Sequence, residues 1–350
     1  MRIDHQRLRR LTSDLLRTTG SSAEEAEIVA DHLVEANLAG HDSHGVGMLP
    51  HYVRNFKAGT LIPNQTPEIV SESGSFAVWD ARNGYGQVMA RSAIRWAVGV
   101  AKQHGVAVHG LRSSHHVGRV GAYGEIAAAA GLVSVHFVNV NSGPPKVTPF
   151  RGREGRYGTN PVCIAVPGTP ATPPIILDMA TSRVAVGKVR VAYNEGKPMI
   201  QGALIGADGK PTTDPGVIYN EPQGAVLPFG EHKGYGLALI AELLAGAVVG
   251  SGTVQPENPR DRGIVNAMLS IIVDPARLGE RSFLEHEIDQ LITYIKATKP
   301  ADPALPVLIP GEPERIAREK RRAEGIEIDA TTWAEIGGAA KSVGASFEAA

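Results

Sequence analysis

The chain has one cysteine, almost no net charge and no apolar run long enough to cross a bilayer. Each lack removes a class of protein. Cys163 cannot form an internal disulfide, so a secreted disulfide scaffold is excluded. Its setting, PVCIAVP, reads as a strand in which a small buried hydrophobe fits better than a nucleophile. Lys and Arg total 35 against 36 Asp and Glu, a formal charge of −1, and this removes the electrostatic case for a nucleic-acid binder. The basic string REKRR (Arg318 to Arg322) contains Glu319 and reads as a solvated helix face. The longest greasy stretch, Leu237 to Val249, is interrupted by Glu242 and is too short for a membrane span. MRIDHQRLRRLTSDLL carries charge throughout and has no signal-peptide core. A cytoplasmic protein with neither nucleic-acid nor membrane partner is expected.

The standard nucleotide fingerprints are missing too. Gly84 and Gly86 are followed by Met89 where the third glycine of G-x-G-x-x-G belongs, and Gly234 and Gly236 by Leu239. Gly118, Gly121 and Gly124 have the wrong period, and no Walker A string occurs.

What is present is histidine. Six of the 12 lie in two short polar strings, HDSHGVGMLPH (His41, His44, His51) and HGLRSSHHVG (His109, His115, His116). An imidazole titrates near neutrality, so two such loops suggest an acid/base site assembled from distant segments. A metal site is the competing reading, because His41 and His44 have H-x-x-H spacing. A metal-dependent hydrolase or lyase would then use His41, His44, His115 and His116. No nearby carboxylate or cysteine completes a ligand set, so no metal is expected. His109 and His136 lie in strand-like runs and read as core residues.

At 350 residues the chain suggests about two domains. Residues 4 to 18 and 22 to 39 read as helices, the second with Ser22 as cap, Glu25 at the capping-box position and Gly40 after the last turn. His51 to Gly59 reads as another short helix. FAVWD, VAVHGL, LVSVHFVNV, CIAVP, PIILDMA and MLSIIVD read as strands. Val88 to His104, Ile126 to Ala130, Gly234 to Val249 and Ser282 to Lys296 read as helices. The expected fold is an α/β mixed sheet with a helical layer from both chain ends. Its parts are a helical segment 1–66, an α/β cofactor-binding core 67–281, and a helical segment 282–350 packing on the first.

Six strings occur in a telling order: DSHGV (Asp42 to Val46), S-x-H-x-G (Ser114 to Gly118), GTNP (Gly158 to Pro161), LDMATS (Leu177 to Ser182), HKGYGLAL (His232 to Leu239) and VLIPGEPE (Val307 to Glu314). Together they resemble the malate/L-lactate dehydrogenase family, and GVGMLPHYV and HHVGRVG are most similar to its hydroxycarboxylate dehydrogenase branch. The resemblance implies an NAD(P)-dependent oxidoreductase with a non-Rossmann core, NAD being the favoured form. It implies a 2-hydroxy or 2-oxo acid substrate and a homodimer. It makes His116 the proton donor and acceptor, and His44 an active-site histidine beside the nicotinamide. Gly118, Arg119, Val120, Asp178, Met179, Ala180, Thr181, Ser182, His232, Asn266, Pro310, Gly311, Glu312 and Pro313 match cofactor-side positions.

Residue chemistry agrees at some of these positions and leaves others open. Removing hydride from a carbinol carbon requires loss of the hydroxyl proton, which suits a base near neutrality such as His116. Asp178 ends a strand, where carboxylates meet ligands, but it can equally cap the following turn. His232 opens a helix and Glu312 can cap one. Many members of the family have arginine where this chain has Met48, and a thioether cannot grip a carboxylate. Arg54, Arg119 or Arg183 is then expected to supply the cation.

Overall fold

The computed structural model describes residues 1–141, 143–259 and 263–348. The chain starts with β1 (Arg2–Ile3), α1 (His5–Thr18), α2 (Ala23–Leu38) and α3 (Leu49–Lys57). Asp4 caps α1, and Ser22 caps α2 by accepting from the Glu25 N–H at 3.1 Å. Glu25 does not complete a capping box. Its carboxylate accepts the Asn64 N–H at 2.9 Å and so ties the turn after α3 to α2.

The α/β part follows: β2 (Glu68–Ser73), β3 (Phe76–Asp80), α4 (Gly86–His104), β4 (Val106–Ser114), α5 (Gly121–Ala129), β5 (Val133–Val140), β6 (Val162–Val166) and β7 (Ile175–Met179). Next come α6 (Val186–Asn194), three two-residue strands β8 (Leu204–Ile205), β9 (Pro211–Thr212) and β10 (Ala225–Val226), and α7 (His232–Glu242). The chain ends with β11 (Asn266–Val273), α8 (Arg281–Lys296), α9 (Glu312–Glu324), β12 (Ile326–Glu327) and α10 (Ala330–Lys341).

The expected mixed sheet is present. Its seven strands run in the order β2-β3-β4-β11-β5-β6-β7, with β3 and β4 parallel and the other pairs antiparallel. This is not the all-parallel sheet of a Rossmann fold. The late strand β11 inserts between β4 and β5 and brings Asn266 beside the end of the second histidine string. Ala90, Ala93, Ile94 and Ala97 of α4 pack on one side of the sheet with Leu111, Val138 and Met268. Leu8, Leu16 and Leu33 share a second core with Ile326, Ile336 and Phe347, so both chain ends contribute to one helical layer. α8 is not part of that layer. It meets the loop before β7, where Asp289 accepts from the Thr169 and Thr172 hydroxyls at 2.6 and 2.5 Å. A third core around Leu204, Ile218, Val226 and Ala238 belongs to a small lobe that the sequence pattern did not separate.

Two expected boundaries move, for one reason. α5 begins at Gly121 rather than Ile126, and α4 at Gly86 rather than Val88. A Cβ on Gly124 would lie 3.0 Å from Cys163 Sγ, and one on Gly86 would lie 2.3 Å from the His115 carbonyl oxygen. These glycines are close-approach sites inside helices. Read locally, they look like loop punctuation.

Candidate active site

The first histidine string folds into a 3₁₀ turn, Asp42–His44, that other elements pin on both sides. Asn37 of α2 donates to Asp42 at 2.7 Å and accepts the Val46 N–H at 2.9 Å. Arg321 of α9 grips both oxygens of Asp42, at 2.6 and 2.9 Å. His41 leaves the turn the other way and pairs with Glu314 at 3.1 Å. His44 is therefore held facing the second string, with Nδ1 2.9 Å from Ser43 Oγ.

The second string leaves β4 and runs across the N-terminus of α4. His116 stacks on His44, with ring centroids 5.6 Å apart and planes 19° apart. Its Nδ1 is 2.7 Å from the Tyr52 hydroxyl of α3, which leaves Nε2 as the nitrogen able to meet a ligand. Gln87 of α4 donates to the same hydroxyl at 2.6 Å. His115 is turned away and buried, its Nε2 2.8 Å from Asn55 Nδ2. Burial holds His116 well below the usual imidazole range and His44 down at about 4. Both rings are neutral at pH 7, and the His116 tautomer decides whether Nε2 accepts or donates a proton.

Behind His116 lie several of the residues expected on the cofactor side. Asn266 accepts the Val117 N–H at 3.0 Å and fixes the backbone just past His116. Gly118 adopts φ +73°, where a Cβ would collide with the His32 ring at 2.3 Å. The Arg119 N–H donates to His32 Nε2 at 2.9 Å. Its buried guanidinium pairs with Glu125 at 2.7 Å and approaches Asp178 at 4.0 Å. Asp178 accepts the Gly121 N–H at 2.7 Å, so it caps α5 and not the turn that follows it. Val120 is in the sheet core, which leaves only its backbone for a ligand.

The remaining positions divide. Met179 and Ala180 are half-buried at the end of β7. The Thr181 hydroxyl donates to the Thr159 carbonyl at 2.8 Å and that of Ser182 to Val184 at 2.7 Å, so both serve the local backbone. The Ile176 N–H donates to Pro310 at 3.3 Å, which docks the Pro310–Pro313 turn on β7 near Asp178, with Gly311 at φ +93°. Glu312 accepts from the Ile309 N–H and from Lys296. His232 stays exposed against Phe150, its ring 5.8 Å away, with no polar contact to the other site residues.

A cleft of about 210 Å³ opens beside His44, bounded by Ser43, Gly158, Thr159, Gly187, Pro145 and Lys146. Its walls are mostly backbone and small side chains. Lys146 also lines it, with its Nζ donating to the Ile218 carbonyl at 2.8 Å. These small walls and the His44 imidazole suit a nicotinamide ring. Among the described residues no three His, Cys, Asp or Glu side chains converge on a point that could hold a metal ion. The four histidines of the metal reading diverge: His41 turns to Glu314, and His115 turns to Asn55.

The malate/L-lactate dehydrogenase family model matches residues 3–337. The chain belongs to this family. Hydroxycarboxylate dehydrogenase B of Escherichia coli (strain K12) is 43% identical over 345 residues, covering 98% of this chain and 94% of that one. An L-lactate dehydrogenase of Cupriavidus necator is 39% identical, covering 98% of each. The solved sulfolactate dehydrogenase of Methanocaldococcus jannaschii superposes with a TM-score of 0.85 at 34% identity, covering 99% of this chain and 98% of that one. Membership fixes the reaction class, which is oxidoreduction between 2-hydroxy and 2-oxo acids with a nicotinamide cofactor. Nothing in these similarities favours the hydrolase or lyase reading.

Sequence reasoning missed Tyr52, Gln87, Asn55, His32, Asn37, Arg321 and Arg190. Tyr52 lies in the string GVGMLPHYV and Arg321 in REKRR, but neither string says which side chain they meet, and most of these residues act through a partner distant in sequence. Of the three expected cations, Arg119 is buried and paired, and Arg183 is exposed. Arg54 shares a cavity of about 560 Å³ with His51, Lys57 and Arg190. Arg190 comes nearest to the Met48 turn, with its guanidinium 3.5 Å from the Gly47 carbonyl and 3.2 Å from His51 Nε2.

Proposed function

We propose that the protein interconverts 2-hydroxy acids and 2-oxo acids with NAD, His116 taking the hydroxyl proton on oxidation and returning it on reduction. The observation that carries this reading is the neutral His116 ring, tied at Nδ1 by Tyr52 and stacked on His44, with Nε2 left for substrate. The cofactor, when bound, accepts or supplies the hydride at the carbinol carbon. His44 and Ser43 wall the cleft, and His116 stacks on His44. Stacking on His44 and the Tyr52 bond prevent the His116 ring from turning, so proton transfer occurs at one atom.

Asp178, a carboxylate at the end of β7, supports NAD over its 2′-phosphorylated form. Arg190 is our candidate for the cation that pairs with the substrate carboxylate, in the place left by Met48. It has no acidic partner among the described residues. With no arginine at position 48, acids with larger side chains belong to this reading.

The exposed Leu239, Ile240, Leu243 and Val248, on α7 and the turn after it, support a homodimer. A free, buried Cys163 fits a cytoplasmic location. A panel of 2-oxo acids followed at 340 nm with NADH and NADPH in parallel tests the reading. Turnover with NADH on several acids, abolished in His116→Gln, is the expected result. No turnover on any acid with either cofactor refutes it.

A further inference from the structure

The bond that ties His116 can run in either of two directions. The Tyr52 hydroxyl has one proton to donate, and it lies between two nitrogens, His116 Nδ1 at 2.7 Å and the Gln87 amide at 2.6 Å. Tyr52 and Gln87 are both fully buried, so water does not compete for these bonds. Burial also raises the Tyr52 pKa, and the phenol keeps its proton.

With the Gln87 amide nitrogen donating to the phenol, the phenol proton must go to His116 Nδ1. A neutral His116 then carries its own proton on Nε2 and has no lone pair there for a substrate hydroxyl. Gln87 Oε1 is left buried without a partner, and the structure has that orphaned oxygen. Turning the amide over reverses every bond in the chain. Oε1 accepts the phenol proton, the phenol oxygen accepts Nδ1–H, and Nε2 has the lone pair that oxidation requires. The protonated His116 formed by oxidation needs the same arrangement, because its Nδ1–H also has to be accepted. One amide orientation thus serves both charge states of the working histidine, and the other holds it idle.

We propose that Gln87 is a positioning residue that acts through Tyr52 to select the His116 tautomer, the productive state having Gln87 Oε1 toward the phenol. This rests on His116 being the acid/base of the proposed reaction. Gln87 is well placed for the role because α4 is locked to the histidine loop. A Cβ on Gly86 would sit 2.3 Å from the His115 carbonyl oxygen and 2.4 Å from that of His116, so helix and loop move as one. The titratable groups that face His116 are His44 from the 3₁₀ turn, its neighbour His115, His32 from α2 and His51 from α3. Tyr52 of α3 completes its surroundings. None of these is an acceptor for Nδ1–H other than the phenol.

The test compares Gln87→Met and Gln87→Glu with the unaltered enzyme, in oxidation and reduction, as kcat against pH. Met removes both hydrogen-bonding ends and leaves the phenol proton on Nδ1, so kcat for oxidation should fall about 10- to 100-fold. Cofactor Kd and thermal midpoint, measured alongside, should stay near those of the parent. Glu is an acceptor, which favours Nδ1–H. It should restore kcat to within about tenfold of the parent and move the acid limb of oxidation to higher pH. Tyr52→Phe should make the enzyme indifferent to residue 87, a non-additivity that a merely structural Gln87 would not show. The ¹⁵N signal of His116, assigned by its loss in His116→Gln, should report Nδ1–H in Gln87→Glu and Nε2–H in Gln87→Met. Met indistinguishable from the parent, or Glu no better than Met, overturns the proposal. An acid limb that survives in His116→Gln instead overturns the role of His116.

Discussion

Acid should unfold this protein through its buried histidines, most of which take no part in catalysis. His109, His115 and His136 are almost completely buried, and burial lowers their pKa values to about 4, 3 and 3. In the unfolded chain each returns to about 6.5. A lowered folded value means that the unfolded state binds more protons below 6.5. The stability these groups permit is therefore complete above pH ~6.5 and is lost as pH falls toward 4 and then 3. Between pH 6 and 5 each histidine takes up close to one proton on unfolding, and each proton contributes about 1.4 kcal/mol per pH unit. Three groups give a slope of about 4 kcal/mol per unit, a large part of the ~5–15 kcal/mol that holds a typical domain together. The half-buried His32, His44 and His51 act in the same direction. Glu25, Asp178 and Glu242, whose values burial raises, act in the opposite one.

Urea midpoints at pH 7.5, 6.0 and 5.0, at constant m, measure this slope. His109→Leu gives the internal check, because neither nitrogen of His109 has a hydrogen-bond partner among the described residues and the substitution orphans none of them. It should reduce the slope by about 1.4 kcal/mol per unit. A parent slope below about 1.4 kcal/mol per unit, or an unchanged slope in His109→Leu, refutes the reasoning.

Three further outcomes can be checked directly. Arg190→Met should raise KM for 2-oxo acids about 10- to 100-fold, the loss of a charge-assisted carboxylate pair, with cofactor Kd unchanged in a fluorescence titration. An unchanged KM would assign the carboxylate to another cation. Gly86→Ala should lower the thermal midpoint by several degrees, since its Cβ would lie 2.3 Å from the His115 carbonyl oxygen. Calorimetry measures it, and an unaltered midpoint would show that α4 and the histidine loop are not locked together. Cys163 is fully buried and its thiol pKa is raised. A thiol reagent should therefore label it only on unfolding, and rapid labelling of the native protein contradicts this packing.

Local signals carried a good part of this structure. Ser22 as cap, Gly40 after the last turn and the spacing of Ala26, Val29 and Leu33 define α2 without reference to the rest of the chain. The ordered strings from DSHGV to VLIPGEPE were enough for the family, and the reaction class follows from that. The separation of His116 from His115 was also readable, because adjacent loop residues leave the backbone in different directions. Glu25 shows the limit. Its capping-box position is visible in the sequence, yet the carboxylate is taken by Asn64, which only the folded chain brings near.

What the sequence determined by itself is most of the main-sheet strands and the longer helices, the family, and the identity of the two histidines that meet. What only the tertiary structure decided is how those histidines are held. Tyr52 reaches His116 across 64 residues, Gln87 reaches Tyr52 across 35, and Arg321 reaches Asp42 across 279. Helix periodicity and capping are set by neighbours along the chain, so one segment displays them. A hydrogen bond between side chains depends on where two distant backbones pass, and that is settled only when β11 enters the sheet and both chain ends close over α2.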